Sequence, residues 1–249
     1  MKLPLGGDPV YQTADALGNI QVIDQRKHRI LRFDSLFEQS KIDRRRPYLP
    51  VHEYNRAMLL PVAFREPRHA TVLGLGGGVL VSALHHLLPE CGLHAVELRR
   101  EVVIVARQFF DMPKADNIRI TIADARVALS DMTDASTDLI LTDLYNAERM
   151  SPFPNQPNFL DQCDRVLSAR GWLAINYHRP PDFASPLFQH MRRLFTSVQM
   201  FKSKTNNYVV YASRQDVEPL AEKDPGLAVL EEQLPIDWQR LMNRVQRIF

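Results

Sequence analysis

From residue 71 onward, the chain alternates between short apolar runs typical of buried strands and longer runs with apolar residues at helical spacing. The runs typical of strands cover residues 71–75, 92–97, 118–123, 137–142 and 171–177. The runs with helical spacing cover residues 79–88, 99–110, 125–131, 157–168 and 184–195. Two more strand-like runs, 197–204 and 207–213, flank a short polar turn and predict an antiparallel pair. The alternation predicts an α/β fold with a Rossmann-like, mostly parallel sheet covered on both faces.

Residues 1–50 predict a small N-terminal β-hairpin region before a main domain of residues 51–249. Four roughly alternating runs, 10–14, 19–24, 28–34 and 36–40, are separated by turn residues. A hairpin sheet of this size is marginal alone, so we expect it to pack on the main domain or on a second subunit. The remaining predictions are a linker over 41–50, a helix over 51–64 that Pro61 ends or kinks, and an acidic, then helical segment over 218–249.

The first predicted strand of the main domain leads directly into three glycines, Gly76, Gly77 and Gly78. Glycine tolerates positive φ and has no Cβ atom to keep a ligand away from the backbone. The N-terminus of the helix that follows offers free N–H groups to an anion. The dinucleotide pattern G-x-G-x-x-G fails at Val79 when read from Gly74, and at Val81 when read from Gly76. Taken alone, a glycine cluster after a strand is often only a tight βα turn.

Acidic residues lie at the ends of three successive predicted strands, and a polar segment, 176–178, lies at the end of a fourth. Glu97 lies 21 residues after Gly76, close to the spacing at which an acid reaches ribose hydroxyls in nucleotide-binding βαβ units. Asp124 and Asp143 follow the next two strands. Each acid alone has a structural explanation as a helix cap or turn residue. As a set with the glycines, they favour a nucleoside-type ligand at the carboxyl edge of the sheet.

Composition narrows the possible partners and the cellular setting. The 249 residues carry a net charge of +2, which does not indicate a nucleic-acid partner, and Arg44–Arg46 is most simply an exposed loop. Cys91 and Cys163 are too few for a disulfide framework or a cysteine metal cluster, and scattered His residues show no metal-ligand spacing. No apolar run approaches the length of a membrane span. We therefore expect a cytoplasmic protein with no metal and no membrane partner.

Several segments together resemble a known family. The segments VLGLGGG, AVELRREVV, IRITIADAR, TDLILTD and GWLAINY resemble a class I S-adenosylmethionine (AdoMet)-dependent methyltransferase fold. The N-terminal segments LGNIQVID, FEQS and PVHEYNRAML narrow the resemblance to the spermidine synthase (polyamine aminopropyltransferase) family. The resemblance implies a transferase that uses AdoMet or decarboxylated AdoMet as co-substrate and alkylates a small amine or related nucleophile. It also implies a homodimer.

The resemblance assigns roles to particular residues. Glu97 would bind the ribose hydroxyls, Asp124 with the Ala125 backbone would bind the adenine amino group, and Asp143 would be the catalytic acid that takes the proton of the attacking amine. The residues implied to hold the co-substrate are Gln39, Gly76, Gly77, Gly78, Glu97, Asp124 and Ala125. The residues implied to line the acceptor side are His52, Glu53, Tyr54, Tyr145 and Asn146. The proline-containing segment 147–157 is either a lid over that side or an ordinary surface connection.

Two departures from the family pattern bear on the acceptor. Val79 stands where the family motif G-G-G-D-G-G has its acid, and Asn146 stands where D-S-S-D-P has its second acid. A buried di-cation needs paired carboxylates, so these changes argue against a true spermidine synthase. The alternatives are a methyltransferase that acts on a less basic acceptor and a non-catalytic nucleoside-binding scaffold. An NAD-binding enzyme is disfavoured by the missing third glycine of its motif.

Overall fold

The structure is a computed structural model, and it describes residues 7–34, 38–144 and 156–249. The strands in these ranges are β1 (Asp8–Asp15), β2 (Gly18–Gln25), β3 (His28–Arg32), β4 (Glu38–Asp43), β5 (His69–Leu73), β6 (Gly92–Glu97), β7 (Ile118–Ile122), β8 (Thr137–Thr142), β9 (Leu167–Tyr177), β10 (Ser197–Lys202), β11 (Tyr208–Ser213) and β12 (Val245–Arg247). The helices are α1 (Glu53–Met58), α2 (Pro61–Phe64), α3 (Val79–Leu87), α4 (Arg100–Phe109), α5 (Ala125–Asp131), α6 (Pro157–Val166), α7 (Pro186–Leu194), α8 (Pro225–Gln233) and α9 (Trp238–Met242).

The main sheet has the strand order β12-β10-β11-β9-β8-β5-β6-β7. Strands β9, β8, β5, β6 and β7 are parallel to one another, and β11 and β10 add an antiparallel pair. This arrangement confirms the predicted mostly parallel sheet with its antiparallel pair. The chain builds outward from β5 through β6 to β7, and then returns to the other side of β5 with β8. Ligands of such sheets bind outside the carboxyl ends of the strands, at this reversal of strand order.

One strand of the sheet was not predicted. Residues 245–247 pair antiparallel with β10 through the partners Val245 and Phe201, whereas the sequence predicted a helical segment here. A three-residue run with one buried position has no periodicity that distinguishes strand from helix, so only pairing with β10 defines it.

Apolar residues cover the main sheet on both faces. One cluster, which includes Trp172, Leu84 and Trp238, packs helices α1, α3, α8 and α9 on one face. The other cluster includes Phe159 and Phe188 and packs α5, α6 and α7 on the opposite face. Strands that are buried on both faces have nearly continuous apolar sequences, as in β8 and the second half of β9. None of the helices that the structure describes is long and apolar enough to cross a membrane.

The N-terminal strands form a four-stranded antiparallel sheet, β1-β2-β3-β4, that packs on helix α4. Val22 and Leu31 of this sheet share an apolar cluster with Val105 and Phe110 of the main domain. Of the two packing partners considered from sequence, the structure therefore shows the main domain. Strand β4 extends to residue 43, into the predicted linker, because the alternation of buried positions continues through Ile42.

The predicted helix over residues 51–64 is two helices, α1 and α2, with Pro61 at the first position of the second. This result confirms the predicted interruption, since proline lacks the N–H that a continuous helix would need there. The Tyr211 hydroxyl donates to the carbonyl of Ala57 at 2.8 Å and fixes α1 against β11. Helix α1 thus lies beside the antiparallel end of the sheet.

Candidate active site

Backbone hydrogen bonds continue past the carboxyl ends of three neighbouring strands and bring the predicted acids to one edge. The Gly74 N–H donates to the Val96 carbonyl, and the Asp143 N–H donates to the Leu73 carbonyl, each at 2.9 Å. On the far side of β6, the Ala123 N–H donates to the Glu97 carbonyl at 3.0 Å. The glycine turn therefore lies between Glu97 and Asp143, at the reversal of strand order.

The glycine turn is shaped by left-handed backbone and by close contact with β4. Gly74, Gly76 and Gly78 have φ angles of +91°, +53° and +75°, which glycine adopts without strain. The Gly77 N–H donates to the Ser40 hydroxyl at 2.8 Å. A Cβ atom on Gly77 would lie 2.9 Å from the Cβ atom of Ser40, and one on Gly76 would lie 4.0 Å from the Gln39 carbonyl oxygen. The structure thus brings Gln39 next to the turn and gives the glycines a packing role in addition to the predicted one.

Gly74 offers a test of how tightly the turn is packed against Asp143. A Cβ atom at residue 74 would lie 2.3 Å from the backbone oxygen of Asp143, and the positive φ adds strain. We expect Gly74→Ala to destabilise the protein by at least about 2 kcal/mol in chemical denaturation. Gly92→Ala is the control, because its nearest neighbour is the movable His69 side chain. Equal stability of Gly74→Ala and wild type would contradict the packing described above.

The Glu97 carboxylate faces the glycine turn. One oxygen accepts the Leu75 N–H and the other accepts the Arg99 N–H, each at 3.0 Å. Burial raises the pKa of Glu97, while these backbone donors oppose the increase. A carboxylate has about four acceptor positions, so both oxygens can also accept the hydroxyls of a ribose. The geometry fits the predicted ribose contact.

Asp124 caps helix α5 and pairs with the side chain of Arg126. Its carboxylate accepts the Arg126 N–H at 2.8 Å and the Arg126 guanidinium at 2.7 and 2.9 Å. The hydrogen bonds from Arg126 hold the pKa of Asp124 below its usual value. Ala125 is the buried first residue of the helix. The structural role considered for Asp124 is therefore present, and contact of Asp124 and Ala125 with adenine stays a prediction.

Asp143 is held by one side chain from each of two elements. The Asn176 amide nitrogen donates to one carboxylate oxygen at 2.9 Å, and the Tyr54 hydroxyl donates to the other at 3.3 Å. Burial raises the pKa of Asp143 to about 6, against the opposing effect of these two hydrogen bonds. A carboxylate with a pKa near neutrality is suited to accept a proton from a reacting group.

The predicted acceptor-side residues at the start of α1 contact different partners in the structure. The His52 ring stacks on Tyr54 with centroids 5.7 Å apart, and burial lowers the pKa of His52. Glu53 instead forms an ion pair with Arg244 at 2.7 Å and accepts the Lys204 N–H at 2.7 Å. Two further predicted residues, Tyr145 and Asn146, and most of the predicted lid lie outside the described residues.

Sequence reasoning placed Asn176 at a strand end without a role, and it gave no role to Ser40 or Asn207. Asn176 is fully buried within an apolar strand, and a polar residue inside such a run was the available signal. Ser40 and Asn207 carry no comparable signal, because their contacts depend on how distant segments meet. Among the residues the structure describes, no group of three or more His, Cys, Asp or Glu side chains could hold a metal ion.

Comparison with known proteins identifies a methyltransferase family model and an aminopropyltransferase relative. A family model described as "Methyltransferase domain" matches residues 69–244. A polyamine aminopropyltransferase from Chromobacterium violaceum is 26% identical over 210 residues, which span 83% of this chain and 80% of the relative.

Solved structures share the fold across most of the chain. A probable spermidine synthase from Corynebacterium glutamicum has a TM-score of 0.74 at 18% identity and covers 99% of this chain and 91% of its own. Human methyltransferase-like protein 13 in complex with SAH has a TM-score of 0.62 at 21% identity. The similarity covers 77% of this chain and 92% of the human chain. Together with the family model and the aminopropyltransferase relative, the probable spermidine synthase establishes a spermidine synthase-like class I methyltransferase fold. Because the family model matches most of the sequence, the chain belongs to the methyltransferase domain family.

Proposed function

We propose that this protein is an AdoMet-type alkyltransferase that binds AdoMet or decarboxylated AdoMet and alkylates a small amine or related nucleophile. The observation that carries the proposal is the Asp143 carboxylate, which is partly buried at the reversal of strand order, where burial raises its pKa to about 6. It lies beside a glycine turn whose other side faces Glu97. This is the arrangement expected for a base next to a bound sulfonium nucleoside.

The donor would be held by groups of the glycine turn and its neighbours. The Glu97 oxygens would accept the ribose hydroxyls, and Asp124 with the Ala125 backbone would contact the adenine amino group. Gln39 would reach the nucleoside from β4, which contacts the turn through Ser40. The similarity to human methyltransferase-like protein 13, which was solved in complex with SAH, supports an AdoMet-type donor.

The transfer step would use Asp143 as a proton acceptor. The amine nitrogen forms a bond to the carbon next to the sulfonium, the carbon–sulfur bond breaks, and its electron pair neutralises the sulfur. The proton that the nitrogen loses passes to Asp143. Since the sulfonium is already a good leaving group, alignment of nitrogen, carbon and sulfur supplies most of the acceleration, and the base adds to it.

The structure around Val79 argues against spermidine as the product. Val79 is 4% exposed and shares an apolar cluster with Ile20, Val22 and Phe110. No carboxylate stands at this position to pair with a cationic aminopropyl chain, and an unpaired buried charge costs several kcal/mol. This observation also favours the second candidate, a methyltransferase that uses complete AdoMet on a less basic acceptor.

Product mass distinguishes the candidates. We expect incubation with a panel of amines and either donor to release a thioether nucleoside only when an acceptor is present. Methylthioadenosine as the nucleoside product would identify aminopropyl transfer, and S-adenosylhomocysteine would identify methyl transfer. Donor binding without either product across the panel would contradict the enzyme proposal and support the scaffold alternative.

A further inference from the structure

Two neighbouring turns of the N-terminal sheet carry five exposed cationic side chains. The first turn is the two-residue loop between β2 and β3, and the second follows β4. The Arg44 N–H donates to the Lys27 carbonyl at 3.0 Å and joins the two turns. Their five cations, here termed the basic turn pair, are Arg26, Lys27, Arg44, Arg45 and Arg46. The sequence predicted an exposed loop for the last three, and the structure adds the β2–β3 loop beside them.

Crossed ion pairs hold the two turns against each other. Lys27 pairs with Asp43 at 3.0 Å, and Arg44 pairs with Asp24 at 3.3 Å. Asp24 also accepts two hydrogen bonds from the Arg29 guanidinium, at 2.7 and 2.8 Å, which neutralise its charge. In the ion pairs of the described residues, Asp43 is therefore the acid left to offset the five exposed cations. The basic turn pair keeps a strong positive charge.

Three of the five cations form no ion pair within the described part of the chain. They are Arg26, Arg45 and Arg46, all exposed. Arg26 also has a φ angle of +56°, in the left-handed region that glycine or asparagine normally occupies in two-residue hairpin loops. An arginine there costs stability, and no burial of its side chain compensates for the cost. Backbone strain at an exposed cation favours a role other than folding.

The basic turn pair surrounds a surface recess of about 500 Å³. Arg26, Lys27, Arg44 and Arg45 line this recess, and none of the described residues that line it is aromatic or apolar. The volume lies in the range of small-molecule sites. Guanidinium groups donate in planar forks that match phosphate oxygens, whereas a nucleic-acid strand would also need aromatic side chains on which its bases stack. The recess therefore fits a compact anion with several phosphate groups.

His28 senses the positive charge of the turns. Burial is the main cause that lowers the pKa of His28, and the charges of Lys41 and Lys27 lower it further, against the opposing effect of Asp43 and Glu38. With Arg26 and Lys27, His28 lines a second recess of about 760 Å³. A bound anion would offset the repulsion from the lysines, so binding should raise the pKa of His28.

We propose that the basic turn pair binds a compact anion that carries two or more phosphate groups, with Arg26 and Arg45 donating to the phosphate oxygens. Free polyphosphate and the phosphate tail of a nucleotide share this chemistry. The site is separate from the glycine turn, because Arg44 lies four residues beyond Ser40, about 13 Å along an extended chain. The inference does not depend on the proposed transfer reaction.

The test titrates the full chain with inorganic tripolyphosphate in a calorimeter. We expect saturable binding that weakens as the salt concentration rises, because the contacts are made by exposed charges. Arg26→Gln combined with Arg45→Gln leaves the ion pairs of Lys27 and Arg44 intact. This double variant should bind at least about tenfold more weakly, since two charge-assisted donors are lost. By NMR, tripolyphosphate should raise the pKa of the His28 ring in wild type and leave it unchanged in the double variant.

Arg26→Asn separates binding from folding. Asparagine tolerates the left-handed backbone at residue 26, so this variant should be at least as stable as wild type in chemical denaturation and still bind tripolyphosphate more weakly. Wild-type affinity in this variant and in the double variant would overturn the proposal.

Arg68→Gln combined with Arg193→Gln is the matched control. Both arginines are exposed and belong to none of the ion pairs of the described residues, so the control loses the same charge and should bind tripolyphosphate like wild type. An equal loss of affinity in the two double variants would overturn the proposal. So would equally tight binding of citrate, a polycarboxylate, or the absence of saturable binding in folded protein at millimolar tripolyphosphate.

Two further ligands identify the source of the phosphates. ATP that binds more tightly than tripolyphosphate, by a margin that the Arg26→Gln and Arg45→Gln double variant removes, would support a nucleotide, and equal or weaker binding would support free polyphosphate. Binding of single-stranded RNA by a protein that does not bind tripolyphosphate would overturn the proposal. The double variant should bind AdoMet like wild type, so failure of this site and failure of the proposed transferase are observed separately.

Discussion

Replacing Asp143 with asparagine should reduce the rate of alkyl transfer by about 10²–10⁴-fold, the usual contribution of a general base. Asparagine keeps the size of the side chain and can still accept from Asn176, but it cannot take a proton. Donor binding should stay within a few fold of wild type, because Asp143 would act on the acceptor. Single-turnover assays with saturating donor measure the rate, and calorimetry measures the binding.

The same variant should be more stable than wild type at neutral and higher pH. Folding raises the pKa of Asp143 from its usual 3.8 to about 6, so the folded state holds this proton more tightly than the unfolded state. The resulting destabilisation is absent below about pH 4, grows between pH 4 and 6, and is complete above pH 6. Asparagine avoids it, and we expect Asp143→Asn to gain about 1–3 kcal/mol at pH 8 and nothing near pH 4.

Asp124→Asn is a control for which we expect the opposite change in stability. Its hydrogen bonds with Arg126 lower the pKa of Asp124, so the ionised carboxylate contributes stability that is lost as the pH falls through its folded-state pKa. Denaturation curves at pH 4.5, 6 and 8 should therefore show Asp124→Asn less stable than wild type at all three pH values, because each lies above the pKa of this carboxyl. A fully active Asp143→Asn, or one that is less stable than wild type at pH 8, would contradict the role given to Asp143.

The second large effect is expected at Glu97. Hydrogen bonds to a charged group contribute about 1.5–3 kcal/mol each, so loss of two ribose contacts in Glu97→Ala should weaken donor binding by at least about 100-fold. Glu97→Gln keeps the size of the side chain and one acceptor oxygen, and it should bind with intermediate affinity. Titration calorimetry of each variant with the donor measures these affinities.

Asp138→Ala is the control for Glu97→Ala. Asp138 also accepts two backbone N–H groups, those of Arg68 and His69 at 2.9 and 3.2 Å, but it lies near the amino end of β8. Both substitutions should lower stability by removing a carboxylate from two backbone donors, and only Glu97→Ala should weaken donor binding by at least about 100-fold. Equal donor affinity in the two variants would remove Glu97 from the site.

Much of the fold could be predicted because its strands and helices have strong periodicity. Helix α5 and strand β8 were predicted to the residue, since each is bounded by polar residues and has a clear apolar pattern. Strand β12 and the extension of β4 were not predicted, because pairing with other strands defines them. The domain boundary at residue 50 and the homodimer stay predictions.

The site residues that lie at strand ends could be predicted from the sequence. The site residues that are brought there by contacts between distant segments could not. Glu97 is the last residue of β6 and Asp143 directly follows β8, so their proximity follows from the order of parallel strands. Asn207 and Ser40 reach the site through contacts that no spacing indicates. The packing of Val79 beneath the N-terminal sheet could not be predicted from the sequence either, although the sequence shows valine where the family motif has an acid.

The most direct test of the account is calorimetric titration of the unmodified protein with AdoMet, decarboxylated AdoMet and methylthioadenosine. The account predicts saturable heat with at least one of these ligands, which the Glu97→Ala substitution eliminates. Absence of heat with all three, in folded protein at millimolar ligand, would contradict a sulfonium-nucleoside site between the glycine turn, Glu97 and Asp143.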